Sequence, residues 1–170
     1  MNITIITGTN REGNESQKVS SSTEKMALGR SHTVSKITLE NFGALFRGTY
    51  MNLENASEEQ KEDIQKMISA DILIFVVPTY HRGIPSPLKN FLDTIKVPEA
   101  YERKIIGVIA CTDDGDDHGA WHARDVINGI LAHKKLHSFV VPIIPMIDFT
   151  NIDEDRIERF IEYCEGFKSS

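Results

Sequence analysis

Five short runs rich in isoleucine and valine, separated by segments with helical periodicity, limit most strongly how this 170-residue chain can fold. The runs cover residues 3–7, 33–39, 72–77, 104–111 and 138–144. Several of them lack the polar and apolar alternation of a half-exposed strand, which is typical of strands covered on both faces. The pattern therefore predicts five parallel strands buried between layers of helices.

Capping residues mark where two of the helices begin. Ser57 and Gln60 have the spacing of an N-terminal capping box, and Asn151 with Glu154 repeats that spacing. From Ile157 onward, apolar residues recur at i, i+3, i+4 and i+7, so a helix is expected after Asn151. Further helices are predicted over residues 14–28, 87–95 and 118–133. The alternation of strands and helices predicts a doubly wound α/β sandwich.

Composition narrows the class of function. Lys and Arg number 19 against 25 Asp and Glu, and the net charge of −6 argues against nucleic acid or an anionic membrane surface as partner. No export signal is recognisable, and no apolar run approaches the roughly 20 residues of a membrane span. Cys111 and Cys164 lack disulfide or metal-site spacing, so a cytoplasmic location is expected. Residues 1–170 contain no linker or repeat, which predicts a single domain.

The loop after the first strand has the composition of an anion site. Residues 8–16 combine two glycines with neutral Thr, Asn and Ser side chains and Arg11, which suits a phosphate held on backbone amides. Asn14 and Glu15 replace the Lys and hydroxyl residue of a P-loop, and Asn10 replaces the second glycine of the dinucleotide fingerprint. A terminal monophosphate is therefore the expected ligand, with an ordinary polar turn as the alternative.

The loop after the third strand carries the most specific pattern. Residues 78–93 read P-T-Y-H-R-G-I-P-S-P-L-K-N-F-L-D, in which three prolines and a glycine indicate a rigid ledge. Tyr80 and His81 are expected to project from it, as edge hydrogen bonds and flat packing to a planar heterocycle require. Together with G-T-N-R-E-G-N-E-S at residues 8–16, this pattern resembles the NADPH-dependent FMN reductase family over residues 1–167.

The resemblance implies a flavodoxin-like three-layer sandwich with five parallel strands in the order 2-1-3-4-5. It also implies an oxidoreductase that passes hydride from NADPH or NADH through FMN to a small acceptor: a flavin, quinone, metal oxyanion or azo compound. A homodimer or homotetramer with the flavin near the subunit boundary is implied as well. Because the flavin supplies the chemistry, no catalytic acid or base is assigned.

Three loops are expected to contact FMN. From the first loop the residues are Thr9, Asn10, Arg11, Asn14, Ser16 and Gln17. From the second loop they are Pro78, Thr79, Tyr80, His81 and Gly83. From the loop after the fourth strand they are Thr112, Asp113 and Gly115. Leu88, Phe91 and Leu92, which follow the second loop, are expected in the helix core.

The loop after the fourth strand departs from the family pattern. Residues 112–119 carry four carboxylates where similar reductases are usually glycine-rich, so the charge beside the flavin changes sign. His118 and His122 have i, i+4 spacing, but a solvated acidic helix N-terminus is the expected structure and no metal is predicted. Trp121 is expected to pack against the sheet or a neighbouring subunit.

The least regular stretch, residues 40–56, is expected to be either a packed loop or a surface for a partner subunit. Its apolar residues are Phe42, Leu45, Phe46, Tyr50 and Met51. Two other functions remain open from the sequence. One is an FMN-binding electron carrier with poor NAD(P)H turnover, because the acidic loop could repel NADPH. The other is a flavin-free α/β module.

Overall fold

A parallel β-sheet with helices on both faces organises the chain in the computed structural model, which describes residues 1–42, 50–81, 83–112, 117–133 and 136–167. The strands are β1 (Asn2–Thr7), β2 (Thr33–Thr38), β3 (Ile72–Pro78), β4 (Ile105–Thr112), β5 (Phe139–Val140) and β6 (Met146–Asp148). The helices are α1 (Ser16–Gly29), α2 (Glu58–Ser69), α3 (Ser86–Thr94), α4 (Asp117–His133) and α5 (Glu154–Gly166). All five predicted helices are thereby confirmed.

The strand order places three loops at one edge of the sheet. The strands lie in the order β2-β1-β3-β4-β5, with parallel pairing throughout, so the predicted order 2-1-3-4-5 is confirmed. Thr7 lies beside Val76, and Pro78 lies beside Cys111, so the carboxyl ends of β1, β3 and β4 are level. Ligand sites of doubly wound sheets form beyond this edge.

Two hydrophobic cores, one on each face of the sheet, hold the helices in place. Every residue of β3 and β4 is buried, as their apolar runs predict. One core joins the sheet to α1 and α5 through residues such as Val19 and Phe160. The other joins it to α2, α3 and α4, and Leu88, Phe91 and Leu92 of α3 are fully buried there, as predicted. These layers form the three-layer sandwich.

The last predicted strand, residues 138–144, is wrong in its extent. It divides into β5, which pairs with the beginning of β4, and β6, which pairs with the end of β4. Pro142 and Pro145 lie between the two strands, and proline lacks the N–H that continuous pairing needs. The division brings Phe149, the residue after β6, to the carboxyl edge of the sheet.

One of the two predicted helix caps is confirmed and the other lies two residues further along. Gln60 N donates to Ser57 Oγ at 3.3 Å, and Ser57 N donates to Gln60 Oε1 at 2.9 Å, which completes the capping box. At α5, Asp153 caps the helix by accepting from Arg156 N at 2.9 Å. The Asn151 prediction is wrong because its N–H donates to Asp148 O, in the turn that follows β6.

Surface aromatic residues depart in part from expectation. Trp121 is 48% exposed on α4 with the Arg124 guanidinium 4.8 Å from its ring centroid, so it is not buried against the sheet, and its packing against a neighbouring subunit stays a prediction. Phe42 and Met51 are buried, which favours the packed loop for that part of residues 40–56, whereas Tyr50 is exposed. Leu45 and Phe46 lie outside the described residues.

Among the described helices, none has the length and apolar character to cross a membrane.

Candidate active site

A cleft of about 320 Å³ opens at the carboxyl edge of the sheet. It is bounded by the loops that follow β1 and β3, by the end of β4 and by the turn that follows β6. The residues that line it are Arg11, Gly13, Asn14, Glu15, Ser16, Pro78, Thr79, Tyr80, Cys111, Thr112 and Phe149. The cleft therefore joins the first two predicted loops with Thr112, the first residue of the third, and adds the turn after β6.

The first loop is held in shape by its own side chains. Asn14 Nδ2 donates to Arg11 O at 2.6 Å, and Asn14 Oδ1 accepts from Gln17 N at 3.0 Å. Thr9, which is buried, accepts from Arg11 N at 3.3 Å through its hydroxyl. Gly13 has φ +62°, a left-handed conformation that glycine adopts without steric cost. The loop is thus preformed, with Thr9 and Asn14 bracing it from within.

Three groups of this loop remain available to an anion. Arg11 is exposed, lines the cleft and forms no ion pair with any described residue. Ser16 is buried at the start of α1, within hydrogen-bonding reach of the Cys111 thiol. No acceptor among the described residues meets the backbone N–H of Ser16. A helix N-terminus, a guanidinium and a hydroxyl are donors that bind phosphate.

Glu15 lines the cleft, although it is not among the site residues that the sequence predicts. It occupies the N-cap position of α1, makes no capping hydrogen bond through its side chain, and lines the cleft. Its carboxylate forms an ion pair with Lys18, one turn along the helix. The predicted helix began at residue 14, which placed Glu15 inside it. Because α1 begins at Ser16, Glu15 lies at the mouth of the cleft instead.

The second loop forms a ledge fixed by backbone hydrogen bonds. Thr79 N donates to Cys111 O at 3.0 Å, which ties the ledge to β4. Tyr80 and Gly83 exchange backbone hydrogen bonds of 3.1 and 2.9 Å across a tight turn. His81, within that turn, is exposed with φ +50°. Pro78, Thr79 and Tyr80 line the cleft, whereas His81 and Gly83 do not.

The first turn of α4 packs tightly against this ledge. A Cβ atom added to Gly119 would lie 2.9 Å from Thr79 Cβ, closer than side chains approach, so only glycine fits there. Thr112, at the end of β4, lines the cleft. Asp113 and Gly115 lie outside the described residues. Within the described parts of the chain, no cluster of three metal-ligating side chains occurs.

Three further lining residues, Gly13, Cys111 and Phe149, were not predicted from the sequence. Burial raises the pKa of the Cys111 thiol to about 12, so the group stays protonated at neutral pH. Cys111 was placed correctly in a buried strand, but its position beside the cleft depends on the register of β3 and β4. Phe149 reaches the cleft because the last predicted strand divides, and Pro145 is the sequence signal for that division.

The arrangement fits a flavin mononucleotide. One end offers a guanidinium, a hydroxyl and a helix N-terminus to a phosphate, and the other offers an aromatic ledge to a planar ring. The predicted residues that line the cleft are Arg11, Asn14, Ser16, Pro78, Thr79, Tyr80 and Thr112. The predicted residues that the structure describes but that do not line the cleft are Thr9, Asn10, Gln17, His81 and Gly83.

Solved structures with the same fold cover nearly the whole chain. An oxidoreductase from Corynebacterium diphtheriae has a TM-score of 0.75 at 15% identity, covering 98% of this chain and 96% of that one. The apo form of an NADH:FMN oxidoreductase, EMOB, has a TM-score of 0.74 at 20% identity, covering 98% and 87%. FerB, a flavoenzyme NAD(P)H:(acceptor) oxidoreductase from Paracoccus denitrificans, has a TM-score of 0.67 at 16% identity, covering 96% and 97%.

Sequence comparison identifies the family. None of the curated proteins compared with the chain matches it. The family model for NADPH-dependent FMN reductase matches residues 1–150, which include all the loops of the cleft. The chain belongs to the NADPH-dependent FMN reductase family.

Proposed function

We propose that this enzyme binds FMN in the cleft at the carboxyl edge and passes electrons from NADPH or NADH to a small acceptor. FMN is the cofactor of its family, and NAD(P)H is the electron donor. The acceptor is a flavin, a quinone, a metal oxyanion or an azo compound. When bound, the flavin supplies the redox chemistry by taking hydride from the nicotinamide and releasing electrons to the acceptor. The preformed first loop is the observation that carries this proposal.

At the phosphate end, Arg11 and Ser16 are the side chains that hold the FMN phosphate. The guanidinium supplies a charge-assisted hydrogen bond, and Ser16 supplies a hydroxyl at the positive end of α1. Thr9, Asn10, Asn14 and Gln17 complete the site. Because Asn14 and Thr9 already bond to the loop backbone, they act chiefly by keeping the loop in its binding shape.

At the ring end, Pro78, Thr79 and Tyr80 form the ledge on which the isoalloxazine lies. Tyr80 is 41% exposed, which leaves its ring available for packing against a ligand. His81 and Gly83 lie in the turn that sets the angle of the ledge. We propose that Thr112, which lines the cleft at the end of β4, contacts the flavin together with Asp113 and Gly115, which follow it in the sequence.

The residues of the chain position and orient the reactants, without an obligatory acid or base. Cys111 stays protonated and buried, and Glu15 is paired with Lys18. The role of the chain is therefore to hold the ring where a nicotinamide and then an acceptor can stack on its open face. The electron-carrier alternative is not favoured by membership in a reductase family.

A homodimer or homotetramer and a cytoplasmic location complete the proposal. Tyr50 and Trp121 are 63% and 48% exposed, and aromatic side chains of this kind are enriched in protein interfaces. Two unpaired, buried cysteines, Cys111 and Cys164, suit a reducing compartment. Light scattering at micromolar concentration tests the assembly, for which a monomeric mass would be the contrary result.

The cleft assignment is tested by titrating the apo-protein with FMN and with riboflavin. The two ligands share the ring system and differ by the phosphate. We expect FMN to bind at least tenfold more tightly, since a charge-assisted hydrogen bond contributes about 1.5–3 kcal/mol. Equal affinities would remove the basis for placing the phosphate at the first loop.

A further inference from the structure

We propose that Glu15 limits the affinity of the cleft for the FMN phosphate, so that the flavin exchanges with solution instead of being retained. This inference rests on the proposed function. It concerns a residue that belongs to the first loop but has a charge of the wrong sign for an anion site. Three observations lead to it: the position of Glu15, its partner, and the balance of charge in the cleft.

The position of Glu15 places a carboxylate at the end of α1 that attracts anions. Glu15 is the N-cap residue and lines the cleft between Asn14 and Ser16. The first turn of a helix carries partial positive charge from its free N–H groups. A phosphate bound at Ser16 and the Glu15 carboxylate would therefore compete for the same positive helix end.

The side chain of Glu15 is not needed to shape the loop. It makes no capping hydrogen bond, whereas Asn14 accepts from Gln17 N and so closes the turn in its place. Its partner is Lys18, and the Lys18 and Glu15 side chains are 64% and 44% exposed, although the Glu15 Oε2 atom itself is buried. An ion pair between side chains that are so largely exposed contributes little to stability. The carboxylate can therefore be removed without dismantling the site.

The Glu15 carboxylate reduces the positive charge that the cleft offers to a phosphate. Among the described residues that line it, Arg11 is the cation and Glu15 is the anion, while Lys18, the ion-pair partner of Glu15, lies outside the lining. A phosphate monoester carries between one and two negative charges at pH 7. It therefore meets hydrogen-bond donors but no net positive charge from the side chains that line the cleft. Glu12, in the same loop, is exposed and does not line the cleft.

The experiment compares Glu15→Gln with Glu12→Gln in the full-length apo-protein. Both substitutions remove one negative charge and keep the size of the side chain, so they match in net charge and differ in location. Dissociation constants for FMN and riboflavin are measured by quenching of flavin fluorescence, and release of FMN is followed after rapid dilution. Glu15→Ser, which places a favoured N-cap residue there, serves as a second variant.

We expect Glu15→Gln and Glu15→Ser to bind FMN about tenfold more tightly than the wild type and to release it more slowly. Glu12→Gln should change FMN affinity less than about twofold, because its charge is screened by solvent. Riboflavin affinity should stay the same in all variants.

The inference is overturned if the two Gln variants bind FMN alike, or if riboflavin affinity rises together with FMN affinity. A wild type that prefers FMN to riboflavin, combined with an ineffective Glu15→Gln, would refute the role of Glu15 and leave the proposed function intact. A wild type that does not distinguish FMN from riboflavin would refute both.

Discussion

Substitution of Gly119 by alanine should tilt or displace the ledge on which we propose that the flavin ring lies. The added Cβ would lie 2.9 Å from Thr79 Cβ and 3.0 Å from Thr79 Cγ2, whereas ordinary contact begins near 3.4 Å. Either α4 or Thr79 must therefore move by about 0.5 Å to restore ordinary contact. Thr79 cannot move freely, because its backbone N–H donates to Cys111 O at 3.0 Å.

Overpacking of this kind typically costs about 1–3 kcal/mol of unfolding free energy. A misplacement of about 1 Å can cost about two orders of magnitude in catalytic rate, and we expect the smaller shift of the ledge to weaken flavin binding by about tenfold. The loss should be equal for FMN and riboflavin, because the ledge contacts the ring and not the phosphate. Urea unfolding and flavin fluorescence titrations measure the two effects.

Gly129→Ala provides the matched control. Gly129 lies on the same helix, and an added Cβ would meet no atom within 4 Å. Alanine there should leave flavin binding unchanged and stabilise the helix by up to about 1 kcal/mol. If Gly119→Ala binds both flavins like the wild type and is as stable as Gly129→Ala, the ledge is not held by this contact.

Three further predictions concern charge. Arg11→Ala should weaken FMN binding about tenfold or more and leave riboflavin binding unchanged in the same titrations; equal losses would refute its phosphate role. The Arg30 guanidinium, together with a smaller contribution from His32, lowers the pKa of Glu165 from 4.5 to about 2, so these contacts stabilise the fold above pH 4.5 and the contribution is lost as the pH falls through 2. Unfolding free energy should therefore fall less steeply with acid in Glu165→Gln, and identical pH profiles would contradict the assignment. Replacing Asp113 and Asp114 together with Asn should lower the KM for NADPH more than that for NADH, because the carboxylates repel the additional phosphate of NADPH, while an unaltered NADPH KM would refute this repulsion.

The fold could be predicted from the sequence because the strands are short, continuous runs of β-branched residues. The apolar runs at β3 and β4 predict burial on both faces, and every residue of those strands is buried. The predicted strand over residues 138–144 is wrong for a local reason. Its apolar content alone indicates one strand, but Pro142 within the run and Pro145 directly after it interrupt the pairing with β4. The apolar composition predicts that a strand lies in this region. The missing N–H groups of the prolines determine which of its residues pair with β4.

The sequence predicts which loops form the site more accurately than it predicts which side chains line it. Residue types nominated Asn14 as a phosphate ligand, yet both ends of its carboxamide bond to the loop backbone. Glu15 and Phe149 became lining residues through a two-residue shift of a helix start and the division of a strand. Such shifts depend on tertiary packing, and a local pattern does not carry that information.

In the proposed function, this chain uses bound FMN to oxidise a reduced nicotinamide. The most direct test is the visible absorbance spectrum of the FMN-loaded protein before and after anaerobic addition of NADPH or NADH. We expect the absorbance of oxidised flavin to disappear when the nucleotide is added and to return when an acceptor is added. A flavin that binds but stays oxidised with both nucleotides would refute the proposed function.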